Sequence, residues 1–243
     1  MKQGIFEIIE NTALTESVFR MRLLGDTSAI TAAGQFVNIQ LAGKYLRRPI
    51  SVCEVNGDVL TIVYKVVGGG TEQMSKMSCG EKLDILTGLG NGYNLDLAGE
   101  KPVLLGGGVG VPPMYELAKR LIAMGKEVKV ILGFNTKSEL FYEEEFKALG
   151  ADVTVTTVDG SYGMKGFVTD ALKDMEYTHF FTCGPEPMLK AVYKASATSG
   201  QMSFEKRMGC GFGACMGCTV KVKGGYKRIC KDGPILDREE VIW

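Results

Sequence analysis

Four cysteines crowd the C-terminal end of the sequence. Cys210, Cys215 and Cys218 follow a C-x4-C-x2-C spacing, and Cys230 returns after a gap of eleven residues. Thiolates in that order are the plant-type ligand set of a [2Fe-2S] cluster. The glycines among them matter physically, because positive-φ backbone turns N–H groups toward the cluster sulfurs with no side chain in the way. A zinc site with four cysteine ligands is the plainer reading, but structural zinc more usually shows two paired C-x2-4-C knuckles, and the second pair is missing. The short gap before Cys230 places the cluster in a minimal appendage. Met202, Met208 and Met216 read as gap-filling core residues around it, with tuning of the cluster potential as the sharper alternative.

A second set of residues suits a dinucleotide. Leu104 and Leu105 lead into Gly106 to Gly110 and then a helix opening on Pro112 and Pro113. Early helical N–H groups are unbonded, so proline fits there, and Gly107, Gly108 and Gly110 let a pyrophosphate approach the positive helix end. This is not a strict G-x-G-x-x-G, since Val111 and Pro113 stand where a third glycine is expected, and no Gly-Lys-Ser/Thr of a P-loop is present. Support comes from Cys183, Gly184 and Pro185 after a later apolar run, where the carboxyl end of a strand would open a ligand crevice. Cys183 reads equally as a nicotinamide-pocket residue or a small buried hydrophobe. The stretch Gly133 to Lys137 offers neither a ribose-binding acid nor an arginine for a 2′-phosphate, so it does not choose between NAD and NADP.

Nearer the N-terminus, Arg48, Pro49, Ile50 and Ser51 put a guanidinium beside a strand start, suited to gripping a pyrophosphate, with a hydroxyl three residues on. Gly68, Gly69 and Gly70 then precede Thr71, read as the N-cap of a short helix and a second phosphate-binding end. Arg48 alone could be a surface ion-pair former and Gly70 a simple turn; at this mutual spacing they read as a pair.

These residues need a scaffold. From Ile5 to about Leu97, short alternating runs such as 18–23, 35–41, 50–55 and 60–66 predict an antiparallel β-barrel or sheet. After Gly99, strands at 103–105, 128–132, 153–158 and 180–182 alternate with helices at 112–124, 138–149, 166–173 and 187–196, which predicts a Rossmann-like parallel sheet. From Ser203 the composition turns to Gly, Cys and Met, with a hairpin between Thr219 and Cys230. The expected domains are therefore 1–98, 99–202 and 203–243, a β plus α/β architecture ending in a small cysteine-rich unit.

Composition narrows the partners. The 28 basic and 28 acidic side chains cancel and are interspersed, which argues against broad binding to nucleic acid or acidic membranes. No apolar run reaches membrane-helix length and the N-terminus alternates like a strand, so the expected location is cytoplasmic. The single histidine, His179, excludes two-histidine metal sets within one chain and reads as a structural edge residue. Of the seven cysteines, Cys53 and Cys79 are expected to be simply buried, and the glycine turns at 68–70, 88–92, 106–110 and 209–217 to approach cofactors.

The Arg48-Pro49-Ile50-Ser51 variant of an Arg-x-Tyr-Ser/Thr motif, without its tyrosine, resembles the flavin motif of the ferredoxin-NADP reductase-like flavoprotein superfamily. With Val63, Tyr64 and Lys65, Gly70 and Thr71, the GLGNG turn at 88–92, the GGGVGVPP turn, the DGSYG stretch at 159–163, the CGPxPM box and the four C-terminal cysteines, the chain is similar over nearly its whole length to the electron-transfer subunits of class 1B, NAD-dependent, dihydroorotate dehydrogenases. The resemblance implies FAD contacts at 48–51, 63–65 and 70–71, cluster ligands at Cys210, Cys215, Cys218 and Cys230, and NAD as acceptor. It also implies a separate FMN-containing catalytic subunit that oxidises dihydroorotate in pyrimidine biosynthesis. Electrons would run from FMN through [2Fe-2S] and FAD to NAD+, in a heterotetramer of two subunits of each kind. Flavin is the required converter, because nicotinamide takes a hydride and the cluster single electrons. The reductase subunit of a hydrogenase or of an NADPH-ferredoxin oxidoreductase is the alternative within the superfamily, and a zinc-stabilised nucleotide-binding module the alternative outside it.

Overall fold

The computed structural model describes residues 1–243. Strands β1 (Lys2–Ala13), β2 (Val18–Leu24), β3 (Phe36–Ile39), β4 (Arg48–Asn56), β5 (Val59–Lys65) and β6 (Lys82–Leu89) close an antiparallel barrel in the order β1-β2-β5-β4-β3-β6. Alternation does the closing: Phe6, Ile8, Met21, Leu23, Leu60, Ile62 and Ile85 point inward and are fully buried, while their sequence neighbours face out. A short helix, α1 (Gly69–Ser75), caps one end.

Strands β7 (Val103–Gly107), β8 (Lys129–Phe134), β9 (Asp152–Thr157), β10 (Met164–Lys165), β11 (Phe180–Cys183), β12 (Gly200–Ser203) and β15 (Ile235–Asp237) form a second sheet in the order β10-β9-β8-β7-β11-β12-β15. All pairs are parallel except β12 with β15. The crossovers use α2 (Val111–Ala123), α3 (Glu143–Ala148), α4 (Val168–Leu172) and α5 (Glu186–Ala195). From β7 the chain first runs outward through β8, β9 and β10, then returns to lay β11 on the other side of β7. That reversal makes the β7/β11 boundary the switch point, where such sheets bind ligands.

Helix α2 joins the two units. It lies along β4, where Glu116 accepts a hydrogen bond from the Val55 N–H (3.3 Å), Lys119 pairs with Glu54 (2.7 Å) and Arg120 donates to the Thr31 carbonyl (2.7 Å). Cys53 and Val63 of the barrel share one apolar cluster with Leu104, Val111, Leu117 and Phe181.

The C-terminal segment carries the hairpin β13 (Thr219–Val222) and β14 (Gly225–Arg228) and then β15. It builds no core of its own. Cys218, Val222, Ile229 and Cys230 pack into a cluster with Phe36, Leu86 and Leu89 of the barrel and Leu105 and Met202 of the parallel sheet.

Several expectations change. The helix expected over 138–149 is a single 3-10 turn at Lys137–Glu139 followed by α3, because Tyr142 takes a left-handed conformation (φ 69°) and breaks it. Thr71 is not an N-cap: α1 already begins at Gly69, and the Thr71 hydroxyl accepts from the Val67 N–H and donates to the Gly68 carbonyl. Cys79 is exposed, unlike Cys53. At the 88–92 turn the glycines are needed for close packing: a Cβ on Gly90 would stand 2.6 Å from Pro234 and one on Gly92 2.5 Å from Ala32.

Candidate electron-transfer centre

The four clustered thiols gather as two pairs. Cys210 N–H donates to Cys215 Sγ (3.5 Å) while Cys215 N–H donates to Cys210 Sγ (3.4 Å), and Cys218 and Cys230 are joined by the Cys230 N–H on Cys218 Sγ (3.4 Å). Main-chain amides turn toward the sulfurs: Ala214 and Cys215 N–H groups donate to Cys210 Sγ (3.3 and 3.4 Å), Gly217 N–H to Cys215 Sγ (3.5 Å) and Cys230 N–H to Cys218 Sγ (3.4 Å). Gly211 (φ 80°) and Gly213 (φ 93°) supply the left-handed backbone this inward turn requires. Burial raises the Cys210 thiol, but the amides of Cys215 and Phe212, the Cys215 side chain and the Ala214 amide outweigh it and bring the pKa down to about 6. Burial with Cys218 alongside pushes Cys230 up to about 12. Four thiols in two pairs with amides turned toward the sulfurs fit an iron–sulfur cluster.

The pyrophosphate-type cradle forms in the barrel. Arg48 lies across Gly70, so close that a Cβ there would overlap Nε and sit 2.7 Å from Cζ. Lys44 carries no signal in the sequence, yet its ammonium hangs 3.4 Å from the Cβ position of Gly69. The loop bearing it is tied to α1 by Gln73 donating to the Ala42 carbonyl (3.3 Å). Two cations over glycine backbone at a helix start fit a phosphate group, and a side chain at Gly70 would fill the space the guanidinium uses. The strand bearing Pro49, Ile50 and Ser51 pairs through β3, with Ser51 opposite Phe36. In β5, Val63 and Lys65 share a face, whereas Tyr64 turns into the barrel, stacks on Phe19 (5.9 Å) and donates its hydroxyl to Asn11 (3.0 Å). Only the Tyr64 main chain is left to meet a ligand.

At the switch point the two glycine motifs meet. A Cβ on Gly110 would overlap the Cys183 carbonyl and stand 2.7 Å from Gly184 Cα, and one on Gly184 would stand 2.8 Å from Met188 Sδ. Gly107 and Gly108 form the turn between β7 and α2, and Pro185 caps α5. Cys183 is half-buried, its pKa pushed up to about 12 by burial although the Ser203 hydroxyl opposes this. Tyr93 donates to the Thr182 carbonyl (3.0 Å) beneath it. His179 precedes β11 at the opposite end from Cys183 and is 5% exposed.

Asn91 fastens the C-terminal segment to the barrel. Its side chain donates to the Ile235 carbonyl (2.8 Å) and accepts the Ile235 N–H (3.1 Å). Its only sequence signal is its place among glycines.

Comparison with known proteins gives consistent matches. A family described as the iron-sulfur cluster binding domain of dihydroorotate dehydrogenase B matches residues 205–242, and one described as an oxidoreductase NAD-binding domain matches residues 104–194. Relatives named dihydroorotate dehydrogenase B (NAD(+)), electron transfer subunit, include one from Bacillus pumilus, 41% identical over 99% of this chain and 98% of its own length. Another from Fusobacterium nucleatum is 43% identical over 96% of this chain and 95% of its own. Among solved structures, an NADH-dependent reduced ferredoxin-NADP oxidoreductase superposes with a TM-score of 0.89 at 33% identity, covering 98% of this chain and 90% of that one. A ferredoxin NADP+ reductase from Neisseria gonorrhoeae shares the fold at 18% identity with a TM-score of 0.70, over 80% of this chain and 90% of that one.

Proposed function

The chain belongs to the family of electron transfer subunits of NAD-dependent dihydroorotate dehydrogenase B, and from that membership we propose that it passes electrons from a separate FMN-containing catalytic subunit through a [2Fe-2S] cluster and FAD to NAD+. The complete assembly holds two subunits of each kind, in the cytoplasm. When bound, FAD supplies the exchange between hydride and single electrons and the cluster the one-electron passage.

This chain's residues hold and orient those groups. Cys210, Cys215, Cys218 and Cys230 would ligate the cluster, Cys210 paired with Cys215 and Cys218 with Cys230. Loop amides at 214, 215, 217 and 230 already face the sulfurs and stabilise their negative charge. Arg48 and Lys44 bind the FAD pyrophosphate over Gly69, Gly70 and Thr71. Pro49, Ile50 and Ser51 with Val63, Lys65 and the Tyr64 main chain line the flavin. Gly107, Gly108 and Gly110 receive the NAD pyrophosphate, and Cys183, Gly184 and Pro185 the nicotinamide. Hydride transfer needs no protein acid, and no histidine lies at this end of the sheet.

The observation that carries the reading is the two-and-two pairing of thiols in a segment wedged between the barrel and the parallel sheet. The decisive experiment is co-expression with a candidate FMN subunit, followed by dihydroorotate-dependent NAD+ reduction. A colourless preparation with stoichiometric zinc and no labile sulfide overturns the reading. The reductase alternative shares the fold, and co-purification with a nickel-iron or larger iron-sulfur subunit would favour it instead.

A further inference from the structure

We propose that Asn38 is a positioning residue that fixes the Cys210 end of the cluster loop to the flavin-binding strand of the barrel. The inference rests on reading Cys210 as a cluster ligand and the Arg48–Ser51 strand as part of the FAD site. Asn38 is 1% exposed in the middle of β3, between Val37 and Ile39, where an apolar residue is the ordinary choice. A buried side-chain amide is costly unless it is bonded. Its Nδ2 donates to the main-chain carbonyl of Cys210 (3.1 Å), 172 residues away, and its Oδ1 has no partner, so this bond is the amide's single side-chain interaction. Gly211 follows with φ 80° and lies flat on the amide: a Cβ there would overlap Nδ2 and stand 3.1 Å from Cγ.

On its own sheet, Asn38 is the register partner of Pro49, inside the flavin motif. The strand is braced there: Arg47 donates to the Asn38 carbonyl (3.2 Å) and the Asp84 carbonyl (3.1 Å) and pairs with the Asp84 carboxylate (2.9 Å). Cys210 is therefore gripped from two sides, its carbonyl by the barrel and its sulfur by the amides of Ala214 and Cys215. Electron transfer falls off steeply with separation, and this bond sets where the loop stands relative to the flavin strand. Holding the Cys210 carbonyl also holds the loop whose Ala214 and Cys215 N–H groups donate to Cys210 Sγ, and amides facing a ligand thiolate favour the reduced cluster.

The test compares the cofactor-loaded protein with Asn38→Asp, which keeps the shape and loses the donor, with Asn38→Leu, and with Asn38→His, which restores an N–H. Readouts are the EPR g-values and midpoint potential of the reduced cluster, cluster loss over time in air, and FAD content as the control for an intact barrel. Expected are shifted g-values, a more negative potential and several-fold faster cluster loss in Asp and Leu, with FAD content retained and His close to wild type. Unchanged g-values and potential in Asp and Leu overturn the positioning role while leaving the cluster reading intact. A wild-type protein without iron and labile sulfide overturns the cluster reading itself, and this inference with it.

Discussion

Gly110 and Cys183 meet main chain against main chain: a Cβ on Gly110 would overlap the Cys183 carbonyl and come within 2.7 Å of Gly184 Cα. Seventy-three positions separate the two residues, yet the return of β11 to the flank of β7 brings both glycine motifs to one crevice. Gly110 has an ordinary helical conformation (φ −82°), so glycine is required there by space and not by backbone strain. Gly110→Ala should cost about 1–3 kcal/mol by overpacking. It should raise KM for NADH more than it lowers FAD content, measured by diaphorase kinetics and flavin extraction.

Arg48 and Gly70 form the corresponding contact in the barrel. Arg48→Ala removes a charge-assisted grip worth about 1.5–3 kcal/mol, so FAD should dissociate about tenfold to a hundredfold more readily. Gly70→Ala should do the same by displacing the guanidinium, and Lys44→Ala should have a smaller effect. Full flavin occupancy after dialysis of Arg48→Ala would count against the pyrophosphate role.

Cys215→Ser replaces one thiolate of the first pair. NADH oxidation by artificial dyes should persist, because the nucleotide crevice and barrel are untouched, while electron flow from the catalytic partner should cease. Unchanged coupled turnover would sink the relay assignment.

Asn91→Ala removes both hydrogen bonds to Ile235, which should cost about 1–3 kcal/mol and loosen the C-terminal segment. Trp243, the single tryptophan, packs on Phe204 (5.7 Å) and Tyr193 (6.0 Å) at the end of that segment, so its fluorescence reports the change. A tryptophan spectrum and tail proteolysis rate identical to wild type would contradict the anchoring role.

His179 gives stability a pH dependence. It is packed on Phe181 (4.8 Å) with Nε2 unpartnered, and burial lowers its pKa below 6.5 although Glu239 and Asp237 oppose this. The unfolded chain therefore binds a proton first as pH falls. Stability should be full above pH 6.5 and decline below it until the folded-state pKa is passed. His179→Phe should flatten that slope in denaturant midpoints between about pH 7 and 5.5; equal slopes in the two proteins would refute it.

What the sequence determined by itself was local. Cysteine spacing, the glycine turns at 106–110 and 183–185 and the Arg48–Ser51 run encode chemistry within a few residues, and alternation of period two or of helical period marks which faces are buried. Lys137–Leu149 lay outside that reach, because its helical pattern is overridden by the left-handed Tyr142 seated between the two units. Only the tertiary structure decided which distant groups meet: Lys44 over Gly69, Asn38 on the Cys210 carbonyl, Asn91 on Ile235, β15 on β12, and the thiols in two pairs. These contacts join residues far apart in the chain, and their partners follow from the order in which strands lie side by side, which no local pattern carries. The segment that composition marked off from residue 203 is thereby made the wedge that fixes barrel and parallel sheet to each other.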